Sequence, residues 1–101
     1  MITKLFLIRH GITQWNKEKR YCGYKDVLLS KQGKMQIIKL GRKIKSTNFD
    51  SIYSSDRKRA LETKNILFGS RYYRKIKALR EINFGVLEGL KSEDILKKYP
   101  K

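Results

Sequence analysis

The apolar run Leu5-Phe6-Leu7-Ile8 leads straight into Arg9, His10 and Gly11, so a strand-like segment delivers a guanidinium and the chain's only histidine into a glycine. A neutral imidazole nitrogen can attack phosphorus and form a covalent phosphohistidine, which splits one hard displacement into two easier ones. Arginine suits such a site because its fork of N–H donors grips phosphoryl oxygens bidentately. A carboxylic acid alongside can protonate the departing alkoxide. These residue types point to phosphate chemistry.

Side chains of this kind need a scaffold that gathers distant segments. Leu5 to Ile8 is a continuous apolar run bounded by polar residues, which predicts a strand covered on both faces, as in a parallel sheet. Thr13 to Asp26 reads as a long loop, with Gly11 and Gly23 as breakers, and loops of this length are commonly functional. Ser30 can cap a helix in which Ile37, Leu40, Gly41 and Ile44 recur at helical spacing, with Ile38 widening the stripe and an end near Lys45. Asp50 to Ser54 predicts a second strand, followed by a helix capped by Ser55 or Asp56, carrying Ala60, Thr63, Ile66 and Leu67, and ended by Gly69. Ile76 to Leu79 predicts a third strand and Glu81 to Leu90 a loop with Gly85 and Gly89. Ser92 then opens a short helix with Ile95, Leu96 and Tyr99, stopped by Pro100. Three strand-then-helix units argue for an α/β fold with a parallel sheet and right-handed crossovers. Ligands of such sheets bind beyond the carboxyl ends of the strands, where Arg9-His10, Ser54-Ser55 and Arg80-Glu81 would emerge.

A chain of 101 residues is at most one domain, and its hydrophobic and charged shares are those of an ordered globular protein. The net charge of +16 attracts phosphates, nucleic acid or anionic membrane. Basic residues are nevertheless spread along the whole chain, which suits solvated faces as well as a docking stripe. Cys22 stands alone, so no intrachain disulfide forms and a reducing compartment is expected. The N-terminal apolar run is too short for a signal segment or a membrane span. A cytoplasmic location and no membrane association are the expectations.

The stretch Leu7-Ile8-Arg9-His10-Gly11-Ile12-Thr13-Gln14-Trp15-Asn16 resembles the signature of the histidine phosphatase (phosphoglycerate mutase-like) superfamily. Tyr53 to Thr63 and Leu79 to Gly89 resemble its next two blocks, in the right order. The resemblance covers essentially all of this chain but only the N-terminal half or so of the family's domain. It implies a three-layer αβα phosphoglycerate mutase-like fold, with residues 1–101 as the N-terminal portion of a single domain. It further implies His10 as nucleophile, Arg9 and Arg59 as phosphate clamps, Glu81 as proton donor, and Asn16 as a further phosphate ligand. Gly11, Cys22 and Gly23 would complete the phosphate-binding set. No cofactor is implied; no metal is required, and no Cys/His cluster offers one a site.

Each assignment has a structural competitor. His10 out of context is more often a surface or hydrogen-bonded histidine, Arg57 or Lys58 could be mistaken for Arg59, and Glu81 could simply balance nearby arginines. Phe84 and Ser92 stand where the resemblance places a tyrosine and a lysine in glycolytic mutases, which argues against mutase chemistry. Cys22 replaces a position that is often hydroxyl-bearing, which could weaken one phosphate contact. The Gly85-x-x-Glu88-Gly89 spacing and Arg20-Tyr21-Cys22-Gly23 are more similar to the alpha-ribazole phosphatase branch of cobalamin biosynthesis. The expected activity is therefore a small-molecule phosphomonoester phosphatase. Alternatives are a catalytically impaired phosphate-binding chain, a mutase-like enzyme and, remotely, a basic nucleic-acid-binding module.

The resemblance also implies a second pocket histidine beyond Lys101, and losing one preorganised donor of that kind costs on the order of a hundredfold in rate. Removing later strands should leave Leu5 to Ile8 with an unpaired edge and exposed apolar faces. Self-association, or a complementing C-terminal half, is the expected partner beside a small phosphorylated substrate. Lys101 follows Pro100 abruptly, and a truncated reading frame or a fragment is the expected reason.

Overall fold

The computed structural model describes residues 2–99, so the predicted stop at Pro100 lies outside the described residues. Its helices are α1 (Gln14–Lys17), α2 (Lys31–Ile44), α3 (Lys58–Phe68) and α4 (Ser92–Lys98), and its strands are β1 (Tyr53–Ser54) and β2 (Arg74–Lys75). Single 3-10 turns cover Lys77–Leu79 and Gly85–Leu87. β1 and β2 pair in parallel, with α3 as the connection between them.

Helix α2 forms where the spacing of apolar residues predicts it. Ser30 caps it by accepting from Gly33 N at 3.0 Å, and Ile37 is 2% exposed. Leu40, Gly41 and Ile44 are half-buried, whereas Ile38 faces outward and does not widen the stripe. Gly33 lets the chain cross close to this helix: a Cβ there would lie 2.0 Å from Ile12 O. Together α2 and α3 form the main helical layer, with Leu29, Ile37 and Ile52 as the buried apolar residues. Phe6, Phe49 and Phe68 stack edge-to-face in series at 5.0 and 5.4 Å beside them.

Four further expectations are corrected. Leu5 to Ile8 is not a covered strand: Leu5 is 80% and Leu7 86% exposed, and no segment among the described residues pairs with it. A strand exists only within a ladder, and none of the described residues supplies one here. The third strand lies at Arg74–Lys75 rather than 76–79. Ile76 N takes the last ladder bond, to Ser54 O at 2.8 Å. The chain just beyond leaves the ladder and closes on itself through Leu79 N to Ile76 O.

The 13–26 loop contains α1, because Thr13 and Asn16 form a reciprocal capping box. Finally, α3 is not capped by Ser55 or Asp56. Arg57 occupies the cap position without a side-chain bond, and Lys58 N instead donates to Asp26 Oδ1 at 2.7 Å. A loop 32 residues upstream thus supplies the acceptor that the local sequence does not.

Candidate active site

His10 is half-buried immediately before a tightly held turn. Gly11 N donates to Thr63 Oγ1 at 3.0 Å, and Thr63 Oγ1 donates to Arg59 O at 2.8 Å. One threonine therefore ties the histidine segment to the helix that carries Arg59. His10 Nδ1 lies 2.7 Å from Gly11 O. A carbonyl only accepts, so the proton sits on Nδ1 and a neutral ring keeps its lone pair on Nε2.

Burial lowers the His10 pKa from its ordinary 6.5, and the positive charges of Arg59 and Arg9 lower it further. The Gly11 carbonyl and the Glu81 carboxylate oppose that shift. Arg59, Arg9 and Glu81 thus lie near enough for their charges to act on this imidazole. The balance favours the neutral form that nucleophilic attack requires.

Arg59 is 3% exposed. Its Nη2 donates to Gly23 O at 2.6 Å and its Nη1 to Lys25 O at 2.8 Å. Glu81 is exposed. A cavity of ≈ 510 Å³ opens beside His10, with Arg9, Asn16, Lys39 and Lys43 in its lining and no carboxylate. Asn16 Oδ1 is taken by Thr13 N at 2.9 Å, which leaves its amide Nδ2 as the group suited to an anion. Arg59 and Glu81 do not line this cavity.

Three expected phosphate ligands have other tasks here. Gly11 is buried where a Cβ would lie 2.8 Å from Gly33 O, so its glycine serves the crossing with α2. The N–H of Gly23 donates to Glu88, and a Cβ there would fall 1.8 Å from Ile82 O. Cys22 is half-buried with Sγ 3.7 Å from Lys25 O, and burial pushes its thiol pKa up, away from the reactive thiolate.

Residues to which the sequence assigns no such role hold the frame. Asp56 accepts from Arg80 Nε at 2.6 Å and Nη2 at 2.5 Å, joining the end of β1 to the residue before Glu81. That guanidinium holds the Asp56 carboxyl well below the usual carboxylate range. Glu62 accepts from Leu29 N at 2.8 Å, and Glu88 accepts from three backbone amides. Most of their partners lie far away in sequence, so no local pattern reveals these bonds.

The frame is a parallel α/β unit whose histidine is flanked by the charges of Arg59 and Arg9. The profile of the histidine phosphatase superfamily (branch 1) matches residues 5–101, and the chain belongs to that superfamily. It is 39% identical over 103 residues to the 2,3-bisphosphoglycerate-dependent phosphoglycerate mutase of Pelagibacter ubique, covering 96% of this chain and 43% of that protein. A phosphoserine phosphatase from Entamoeba histolytica superposes with a TM-score of 0.78 at 36% identity, over 88% of this chain and 47% of that one. A candidate alpha-ribazole-5'-P phosphatase from Escherichia coli gives 0.85 at 29% identity, over 91% and 48%. The chain spans less than half the length of each of these relatives. Mutases and phosphatases stand side by side among them, so similarity supports both branches. Among the described residues no helix is long and apolar enough to cross a membrane.

Proposed function

We propose that this chain carries the nucleophile side of a phosphomonoester hydrolase. The observation that carries the reading is the Nδ1 contact of His10 with Gly11 O at 2.7 Å, which leaves Nε2 as the nucleophile beside Arg59 and Arg9. The Nε2 lone pair forms the N–P bond as the ester P–O bond breaks, and Glu81 protonates the departing alkoxide. Water then attacks the phosphohistidine, with Glu81 taking the proton back. Arg9, Arg59 and Asn16 hold the phosphoryl oxygens throughout. The second histidine that the family resemblance implies comes from outside residues 1–101, because His10 is the only one here.

Within the superfamily the reading is a small-molecule phosphatase of the alpha-ribazole phosphatase type, in the cytoplasm. Phe84 supports it by packing against the Tyr21 ring at 5.2 Å, where a mutase would place a polar group. The mutase reading is favoured by the 39% identity to a bisphosphoglycerate-dependent mutase. Phosphate released to water rather than transferred to a second acceptor separates the two. The apolar faces of Leu5 to Ile8 are covered, in this reading, by a complementing C-terminal half of the domain.

The test is trapping by rapid quench after incubation with a radiolabelled phosphomonoester. An acid-labile label that disappears in His10→Ala supports the mechanism. Equal labelling of the variant refutes it.

A further inference from the structure

Glu88 binds backbone rather than cations. Gly23 N donates to Oε2 at 2.8 Å and Oε1 at 3.1 Å, Lys25 N to Oε1 at 2.7 Å, and Phe84 N to Oε2 at 3.3 Å. Gly23 and Lys25 are also the two residues whose carbonyls hold the Arg59 guanidinium, at 2.6 and 2.8 Å. Each of these residues therefore gives its N–H to an anion and its C=O to a cation. The loop is held between Glu88 and Arg59 like a spacer between opposite charges.

We propose that Glu88 is a positioning residue that sets Arg59 for an incoming phosphate through the 23–25 loop; this rests on the phosphate-pocket reading of His10 and Arg59. A carboxylate placed directly on Arg59 would occupy the bidentate fork that a phosphate needs. The loop carbonyls instead engage two of its five donors and leave the full positive charge in place. Glu88 acts on the acid as well. Its bond to Phe84 N grips the segment that begins at Glu81, and Gly23 sits so close to that segment that a Cβ would strike Ile82 O. One carboxylate thus gathers the clamp's cradle and the proton donor's loop. Charge-assisted bonds of this kind are stronger than neutral ones, so the loop loses its anchor when the charge is removed.

The test uses the full chain with two readouts. In nitrogen–proton spectra without ligand, the Arg59 Nη protons of the wild type give separate, slowly exchanging signals because both ends of the guanidinium are held. Glu88→Gln, which keeps shape but not charge, is expected to average them. In phosphorus NMR titrations with inorganic phosphate, Glu88→Ala is expected to weaken binding about tenfold, the low end of what partners behind a metal's ligands contribute to metal affinity. Glu88→Gln should fall between it and the wild type. Ile52→Ala, a core change, should lower thermal stability and leave the phosphate affinity alone. Unchanged Arg59 signals in Glu88→Gln, or an affinity loss in Glu88→Ala no larger than in Ile52→Ala, would overturn the proposal. Phosphate binding that survives Arg59→Ala would instead sink the pocket reading, while the Arg59 signals continue to report on Glu88 itself.

Discussion

His10 is held neutral chiefly by burial, with Arg59 and Arg9 adding to the effect. Its folded pKa lies below 6.5, so between that value and 6.5 the unfolded chain binds more protons than the folded one. Stability contributed by this group is therefore fully present above pH 6.5 and is lost as pH falls through the folded pKa. Urea melts from pH 5 to 8 should show a rise in stability toward neutrality that is smaller in His10→Asn; parallel profiles for the two proteins would contradict it. At this scale the sequence is informative about the groups proposed to do chemistry. Arg9, His10, Arg59 and Glu81 stand out because their motifs are local, and the charges of the other three act on the His10 imidazole. Thr63 and Glu88 were not legible in their roles, because their partners are amides 52 and 65 residues away. The rigid task of Gly11 was equally hidden, since only the crossing with α2 reveals it.

Between the elements, two junctions fix the site: Thr63 under Gly11, and Gly33 against Ile12. Thr63→Val keeps the shape but leaves a buried N–H without an acceptor, which costs about 1–3 kcal/mol. Denaturant unfolding should register that loss, and an unchanged midpoint would show that the bond contributes nothing. Gly33→Ala gains helix propensity worth about 1 kcal/mol, yet its Cβ would stand 2.0 Å from a backbone oxygen. The clash should win, and a lowered melting temperature is the expected result. Helix α2 was readable from its sequence because period and cap agree. The strand at 5–8 and the bounds of β2 were not, since a strand is defined by its partner and a single sequence does not display its pairing. The start of α3 escaped for a related reason: its acceptor, Asp26, belongs to another segment.

As a whole molecule the chain is extended, 50 × 29 × 22 Å, with a radius of gyration of 15.7 Å against about 13 Å for a compact chain of this length. It exposes 7972 Å², where a compact monomer of this mass would expose roughly 6,000 Å². The excess, about 2,000 Å², is more than twice the roughly 800 Å² that each partner buries in a standard interface, and the exposed Leu5 and Leu7 contribute to it. Two copies at +16 repel, so a second copy is a poorer cover than a less basic partner. Salt screens that repulsion, with a Debye length of about 10 Å at 0.1 M. The weight-average mass in sedimentation should therefore rise with ionic strength. A clean monomer at every salt concentration, melting cooperatively, would mean that the exposed run needs no cover. Burial, cover and charge all act finally on one nitrogen, His10 Nε2. The most direct measurement is phosphorus NMR of the chain after treatment with phosphoramidate, because the two ring positions of phosphohistidine give distinct signals. The expected product is the Nε2 phosphohistidine, lost in His10→Ala. Phosphate on Nδ1, or an undiminished signal in the variant, would contradict the account.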